Sequence, residues 1–422
     1  YLVDPDTIDY SSSNYSLGGL DKIVRSSTAP TDDVNYDIIS TDESSVPTYI
    51  WLTKEQSGYN SYTVLNIYSE AEDITLNEDS RCLFMGCPTL TSSFVNIFDW
   101  SHVKHLDGAF ECGYSLSASD VMDFFEQADL SNVETMIYAF KECVSSSSSS
   151  NLTDFIIEDI SLPKLTNAAG LFSAAFRSGI KSFTMRNWDL SNIIDLHKIF
   201  NANSNYSGQL YYCRNITFDN IKAPKQTTLD RFVGDFSGYN GTAEKIQIIN
   251  CDFSGVTDFR NLMKDNYSTV ELDLSGSDFR SVEDMHQMFS AGGYSNSNVN
   301  DYDYCTLDST DAANTYKLQI VRAKGTNFDS VKNMRGTFAG YNSCINNLVD
   351  FDMGPNVEDV SYMFYGHHNY HIDIGANTVQ SSKLTNLEGM FEYSTFGKTV
   401  EDVKILQNMD MSHAENISRM LQ

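Results

Sequence analysis

Three imidazoles fall close together at His367, His368 and His371, a local density of nitrogen donors that zinc could use. They follow Phe364 directly, where a turn belongs, so a turn is the first reading and metal ligation the alternative. Asp4, Asp6 and Asp9 near the start, and Asp301 with Asp303 later, carry the hard oxygens that calcium takes, but neither group spells a full ligand loop. Calcium is the one cation these residues suggest; no other cofactor and no dedicated metal site are expected. The eight histidines do not line up with a nucleophile, and there is neither a Gly-rich phosphate loop nor a Gly-x-Ser-x-Gly elbow. The chain is expected to be non-catalytic.

The cysteines are spread thinly and include no Cys-x-x-Cys. Cys87 and Cys143 each lie three residues after a Phe, at Phe84 and Phe140, and Cys112 lies two after Phe110. They read as small buried residues in turns rather than zinc ligands, with disulfides between neighbouring turns left open. Asn-x-Ser/Thr sequons stand at Asn14, Asn151, Asn205, Asn215, Asn240, Asn266 and Asn416. This composition alone gives on the order of six, so they permit glycosylation without diagnosing it.

Charge narrows the partners. The chain has 57 acidic against 28 basic residues and a net charge of −29. Phosphate binding needs basic patches, so nucleic acid is excluded as an expected partner, and an anionic membrane surface would repel the chain. No run of 18 apolar residues exists to span a bilayer. The chain opens at Tyr1 rather than Met and stops as a repeat closes, as expected of a processed N-terminus and a longer parent chain.

The elements that carry these residues follow from a recurring heptad. An aliphatic residue, an apolar one three positions on and a closing Phe or Leu recur as Val103-Leu106-Phe110, Val133-Met136-Phe140, Leu165-Ala168-Phe172, Ile193-Leu196-Phe200, Val256-Phe259-Met263, Val282-Met285-Phe289, Val331-Met334-Phe338, Val357-Val360-Phe364, Leu384-Leu387-Phe391 and Ala414-Ile417-Leu421. Closing residues lie 26 to 32 positions apart wherever two clear copies adjoin, the period of stacked supersecondary units. Eleven residues before the closing residue an Asp is frequent, as at Asp99, Asp129, Asp189, Asp252, Asp278 and Asp410. Ser131 with Glu134, Thr385 with Glu388 and Ser412 with Glu415 have capping-box spacing, which predicts that each heptad is a short helix. Alternating segments such as Lys245–Ile249, Val270–Leu274, Lys317–Val321 and His371–Ile374 predict one strand per unit. Neither element buries enough alone, so the units must stack, with Phe110, Phe140, Phe172, Phe200, Phe289, Phe338, Phe364 and Phe391 forming one core column.

The run Leu272 to Phe279, followed by Val282, Met285 and Met288-Phe289, resembles the Met-Phe repeat of BspA-like leucine-rich-repeat surface proteins, and Trp188 to Phe200 and Met409 to Leu421 are similar to it. The resemblance covers roughly residues 83 to 422. The copy near Phe232 departs from it, with Lys225 and Thr228 at aliphatic places. The resemblance implies an α/β leucine-rich-repeat-like solenoid of short parallel strands and short helices, displayed outside the cell and engaged in adhesion or host contact.

Residues 1–80 lack the heptad and hold two strand-like runs, Tyr49–Leu52 and Tyr62–Tyr68. They predict an N-terminal cap or small β-rich module, with 81–422 as the solenoid; its aromatic residues serve either as core or as an interface. Insertions fall near 145–150, 201–213 and 291–315. The last, with Tyr294, Asn296, Asp301, Tyr302, Asp303 and Tyr304, has the Tyr, Asn, Ser and Gly content of recognition loops and is the expected binding segment; a neutral excursion is the alternative.

Two functions fit: an extracellular or cell-surface recognition module for a surface protein or glycan, or a structural subunit of a filament, sheath or virion fibre joined through solenoid ends to copies of itself.

Overall fold

The computed structural model describes residues 20, 22–40, 44, 46–58, 60–87, 92–111, 116–144, 153–173, 175–176, 180–194, 196, 199, 213–229, 232, 243–259, 262, 269–286, 288–289, 318–339, 348–366, 372–373, 383–394, 406–407 and 409–422. The chain forms two compact units, one of residues 1–180 with 199–206, the other of 181–198 with 207–422.

The first unit begins with a mixed sheet of β1 (Lys22–Arg25), β2 (Asp37–Ile38), β3 (Thr48–Ser57) and β4 (Asn60–Ser69), in the order β1-β4-β3-β2. β3 and β4 form an antiparallel hairpin running from Thr48↔Ser69 to Ser57↔Asn60, and β1 lies parallel to β4. The runs Tyr49–Leu52 and Tyr62–Tyr68 fall inside this hairpin, as their β-branched and aromatic content favours. β5 (Ile74–Thr75) pairs in parallel with β6 (Phe98–Asp99), and β7 (Thr153–Glu158) follows later. Among the described residues of this unit one α-helix stands out, α1 (Ala118–Gln127). Ser117 caps it, accepting from the Asp120 amide at 3.1 Å while the Asp120 carboxylate accepts from the Ser117 amide at 2.8 Å. Ala118, Val121, Phe124 and Phe125 form its buried face.

Among its described residues the second unit carries seven strands: β8 (Ile180–Arg186), β9 (Asn215–Asp219), β10 (Lys245–Ile249), β11 (Glu271–Asp273), β12 (Ile320–Ala323), β13 (Leu348–Phe351) and β14 (Ile372–Asp373). Each pairs in parallel with the next in chain order. Register is kept throughout: Phe183, Ile216, Ile246, Leu272, Val321, Val349 and Ile372 oppose one another in succession. Successive coils of one chain stacked with strands in register make a β-solenoid, so the stacking expected from the 26-to-32-residue period is present.

Among the described residues the heptads are not helices, which corrects the expected α/β mixture. Those described throughout, such as residues 133–140, 331–338 and 384–391, are runs of tight turns. Alternate amides bond back within the coil, as Thr337 N–H to Met334 O and Ala339 N–H to Gly336 O. The others donate to the next coil: Met334 to Asp359 O at 2.8 Å, Gly336 to Ser361 O at 2.9 Å and Phe338 to Met363 O at 2.9 Å. An amide committed to a neighbouring coil cannot join an i→i−4 ladder. The second obstacle is a left-handed residue two places before the closing one, filled by Gly108, Tyr138, Gly170, Gly336, Tyr362, Gly389 and Arg419. The expected capping boxes fail for the same reason, since the amides of Glu415 and Asn416 both donate to Thr385 O, at 2.8 and 3.0 Å. The recurring Asp instead closes a turn on itself: Asp99, Asp129, Asp189, Asp252, Asp278 and Asp410 each accept from the amide two residues on.

Two stretches of the expected Phe column lie in the described residues, one in each unit. In the first unit Phe110 stacks on Phe140 with centroids 4.8 Å apart at 12°, and Phe140 on Phe172 at 6.1 Å. In the second, Phe289, Phe338, Phe364 and Phe391 succeed one another at 5.4, 5.5 and 5.4 Å. All seven rings are buried; Phe200 lies outside the described residues. A second row, Phe253, Phe279, Phe328 and Phe351, stacks alongside at 5.8, 5.8 and 5.3 Å. The copy near Phe232 fits once its register moves by one residue: Thr228 bridges to Asp258, so Gln226 and Leu229, both buried, take the places of Val256 and Phe259. Gln226 is tolerated there because its Oε1 accepts from Leu196 N–H at 2.8 Å and its Nε2 donates to Thr228 O.

Phe338 has a stacked ring on either side and no exposed surface. Phe338→Ala is expected to lower unfolding free energy by about 3–5 kcal/mol, measured by urea denaturation. A loss under about 1 kcal/mol would contradict the column.

Candidate binding surfaces

Parallel in-register stacking repeats each outward position from coil to coil, so identical charges there would repel at one strand spacing. On the sheet of the second unit the sequence alternates sign instead. Lys245 pairs with Glu271 at 3.2 Å, Arg322 with Glu271 at 3.3 Å, and Lys324 with Asp350 and Asp352 at 3.3 Å each. Such pairs are partly exposed and add at most about 1 kcal/mol apiece. Their larger effect is to hold the outward side chains of neighbouring strands in fixed rows.

The turn surface of the second unit carries a denser network, built where the left-handed column departs from Gly. A non-Gly residue in that conformation costs roughly 1–2 kcal/mol, which Tyr362 and Arg419 offset by contacts across the coils. Tyr362 lies against Gly389, where a Cβ would come within 2.6 Å of its ring. The Arg335 guanidinium sits 4.7 Å from the ring centroid. The Tyr362 hydroxyl donates to Glu388 Oε1 at 2.7 Å and accepts from Arg419 Nη2. Arg419 also reaches Glu388 Oε1 at 2.7 Å and Glu392 Oε1 at 3.3 Å, and Asn416 Nδ2 donates to Glu388 Oε2 at 3.1 Å. Burial, then the bond to Glu388, pushes the Tyr362 phenol up to about 12. Hydrogen bonds from Tyr362 and then Arg419 hold the Glu388 carboxyl below its ordinary range. At neutral pH the phenol keeps its proton and the carboxylate its charge, so this group is a clamp between coils rather than an acid–base pair.

The first unit has its own polar cluster. Thr135 Oγ1 lies 3.0 Å from His105 Nδ1 and donates to Asp107 Oδ2 at 3.0 Å, while Asp107 Oδ1 accepts from Ile137 N–H at 2.8 Å. Burial, the largest influence, pushes the Asp107 carboxyl up. The hydroxyl here stands between imidazole and carboxylate, whereas nucleophilic activation needs the imidazole in the middle. Lys141 and Glu111 form a buried ion pair at 2.7 Å.

Tyr294, Asn296, Asp301, Tyr302, Asp303 and Tyr304 lie outside the described residues, as do the insertions at 145–150 and 291–315 and residues 201–212 of the third. So do His367, His368, His371, Asp4, Asp6, Asp9 and the sequons at Asn14, Asn151, Asn205, Asn240 and Asn266. Asn215 opens β9 with its side chain exposed, open to a glycan. Asn416 is tied by its amide nitrogen to Glu388, and its Oδ1 accepts from Ser418 N–H at 3.1 Å, so a glycan there would dismantle the clamp. Among the described residues no group of three or more His, Cys, Asp or Glu could hold a metal ion, and no helix is long and apolar enough to cross a membrane. Cys87 and Cys143 are buried in turns as expected. Burial pushes the thiols of Cys87 and Cys251 up to about 11 and about 12.

Residues 213–317 and 311–422 match a family described as a Mycoplasma protein of unknown function, DUF285. No curated protein and no solved structure matches the chain.

Two measurements check this electrostatic account. A carboxyl whose folded pKa is lowered adds stability above its unfolded value, near 4.3 for Glu, and loses it as pH falls through the folded value. The urea midpoint of Glu388→Gln is therefore expected below that of the native chain at pH 7, with the gap closing toward pH 3. A gap unchanged by acid would contradict the clamp. Iodoacetamide at pH 8 is expected to leave Cys87 and Cys251 unlabelled until urea unfolds the chain, read by peptide mass; labelling of the folded protein would contradict their burial.

Proposed function

We propose that the chain is a non-catalytic recognition module of the BspA-like leucine-rich-repeat type, acting outside the cell or on its surface by adhering to a protein or glycan. The carrying observation is how the described polar side chains are used. The recurring Asp residues close turns, the outward charges pair between neighbouring strands, and the one dense cluster clamps coils together. Their chemistry serves to repeat a coil, and a repeated coil multiplies outward rows at fixed spacing, which suits contact with an extended partner. The Met-Phe repeat resemblance supports the surface location, and the net charge of −29 supports a partner that is neither nucleic acid nor anionic lipid. Calcium between the chain and an acidic partner is compatible with this reading.

The test is adherence of the purified full chain to intact cells and to immobilised extracellular proteins and glycans, beside light scattering across a dilution series with and without millimolar calcium. Saturable adherence by a monomer is expected. Growth into long particles without adherence would replace this reading by a self-assembling structural subunit.

A further inference from the structure

The two faces of the mixed sheet in the first unit differ in aromatic content. One is mainly aliphatic, with Leu52 62% exposed on it; the other carries the aromatic rings at one end and the fully buried Val64 further along. Residues directly opposite one another share a face, so Ile23, Leu65 and Leu52 lie on one side, with Ile50 and Ile67. Ile23 and Ile67 are buried there, at 3% and 2% exposure. Tyr49, Tyr68, Trp51, Asn66, Thr53 and Ile38 lie on the other. On this side Ile38 is 55% exposed and the adjoining Tyr36 39%, while Tyr49, Trp51 and Tyr68 are half-buried. Single exposed apolar residues mean little; a contiguous group of aromatic rings beside polar groups marks a contact site.

Ring geometry and charge select the occupant. Tyr49 and Tyr68 lie side by side at 6.3 Å with their planes 37° apart, and Tyr36 stands 5.4 Å from Tyr49 at 75°. The result is an aromatic floor with one upright wall. Asn66 Nδ2 donates to Thr53 Oγ1 at 2.9 Å beside the rings, which places an amide and a hydroxyl at the edge of the floor. The formal charges on this face, Lys22 and Glu55, pair with each other at 3.5 Å at its far end, so the aromatic part is neutral. An anionic ligand would meet a chain of net charge −29 with no unpaired cation in this patch to hold it.

We propose that this face binds a neutral sugar chain, stacking the apolar C–H side of a pyranose on Tyr49, Tyr68 and Trp51 against Tyr36, with ring hydroxyls at Asn66 and Thr53. This deepens the recognition reading and rests on it, naming an uncharged glycan as ligand.

Trp51 is a built-in reporter, because Trp100 and Trp188 are buried at 3% and 1% exposure. The full chain is titrated with soluble neutral oligosaccharides of glucose, galactose, N-acetylglucosamine and mannose, and with an anionic uronic-acid oligomer, while acrylamide quenching of tryptophan is followed. At least one neutral series is expected to protect Trp51 saturably, with the uronic-acid oligomer weaker. Tyr49→Ala is expected to weaken binding about tenfold. Tyr36→Ala, at an exposed position, should weaken it with an unchanged urea midpoint, whereas Leu52→Ala on the opposite face should leave it unaltered. The proposal is overturned if no neutral series protects Trp51, if the anionic oligomer binds more tightly, if protection follows protein concentration instead of sugar, or if Tyr49→Ala and Tyr36→Ala bind as the native chain. A Tyr36→Ala/Tyr49→Ala chain that still adheres to cells would sink the sugar site alone, whereas a native chain that adheres to nothing would sink the recognition reading.

Discussion

The backbone amide that donates to the next coil is the constraint from which the rest of the structure follows. In the turn segments every second amide leaves its own coil, as Leu387 to Asn416 O at 2.7 Å, Gly389 to Ser418 O at 2.8 Å and Phe391 to Met420 O at 2.9 Å. In the second unit every described strand pairing is parallel and in register. Turn backbone that would otherwise have to reach water is satisfied by its neighbour, so short irregular segments can line a buried core. The same dependence means that a coil is stable only as part of a stack.

Register turns sequence positions into columns, and columns impose their own chemistry. Inward, Phe stacks on Phe at close to one strand spacing, and two such rows run beside each other in the second unit. Stacked pairs contribute about 0.5–1.5 kcal/mol each beyond the area they bury. Outward, alternating charges avoid repulsion. At the left-handed position Gly is the easy choice, and Tyr362 and Arg419 stand there because together they bind two carboxylate oxygens, Glu388 Oε1 and Glu392 Oε1, and one another.

This economy bears on function. The recurring Asp residues close turns, and the Tyr362–Arg419 group clamps coils. What a stack offers a partner is surface, repeated along the units or concentrated where the repeat is absent. The aromatic face proposed to bind lies on the mixed sheet of β1 to β4, whose rings answer to no column.

The sequence by itself determined the repeat, its period, the closing Phe column and the strands, because apolar spacing survives wherever a core must be filled in every coil. Lys245–Ile249 matched its strand to the residue. It did not determine that the heptad is turns, since i, i+3 and i+7 spacing serves a helix and a stack of tight turns alike, and the choice was made by amides bonding to the neighbouring coil, far away in sequence. The capping signature misled at Thr385 and Ser412, whose neighbouring amides are claimed across coils, while a real helix forms after Ser117, where Asp120 stands in place of the signature's Glu or Gln. Tyr362 and Arg419 are 57 residues apart; their one local signal was a bulky residue where other copies carry Gly, and only the stacked coils brought it into contact with Glu388. The aromatic character of residues 36–68 was legible, but which rings share a face was fixed by strand pairing, a tertiary fact that period-two alternation cannot supply without the partner strand.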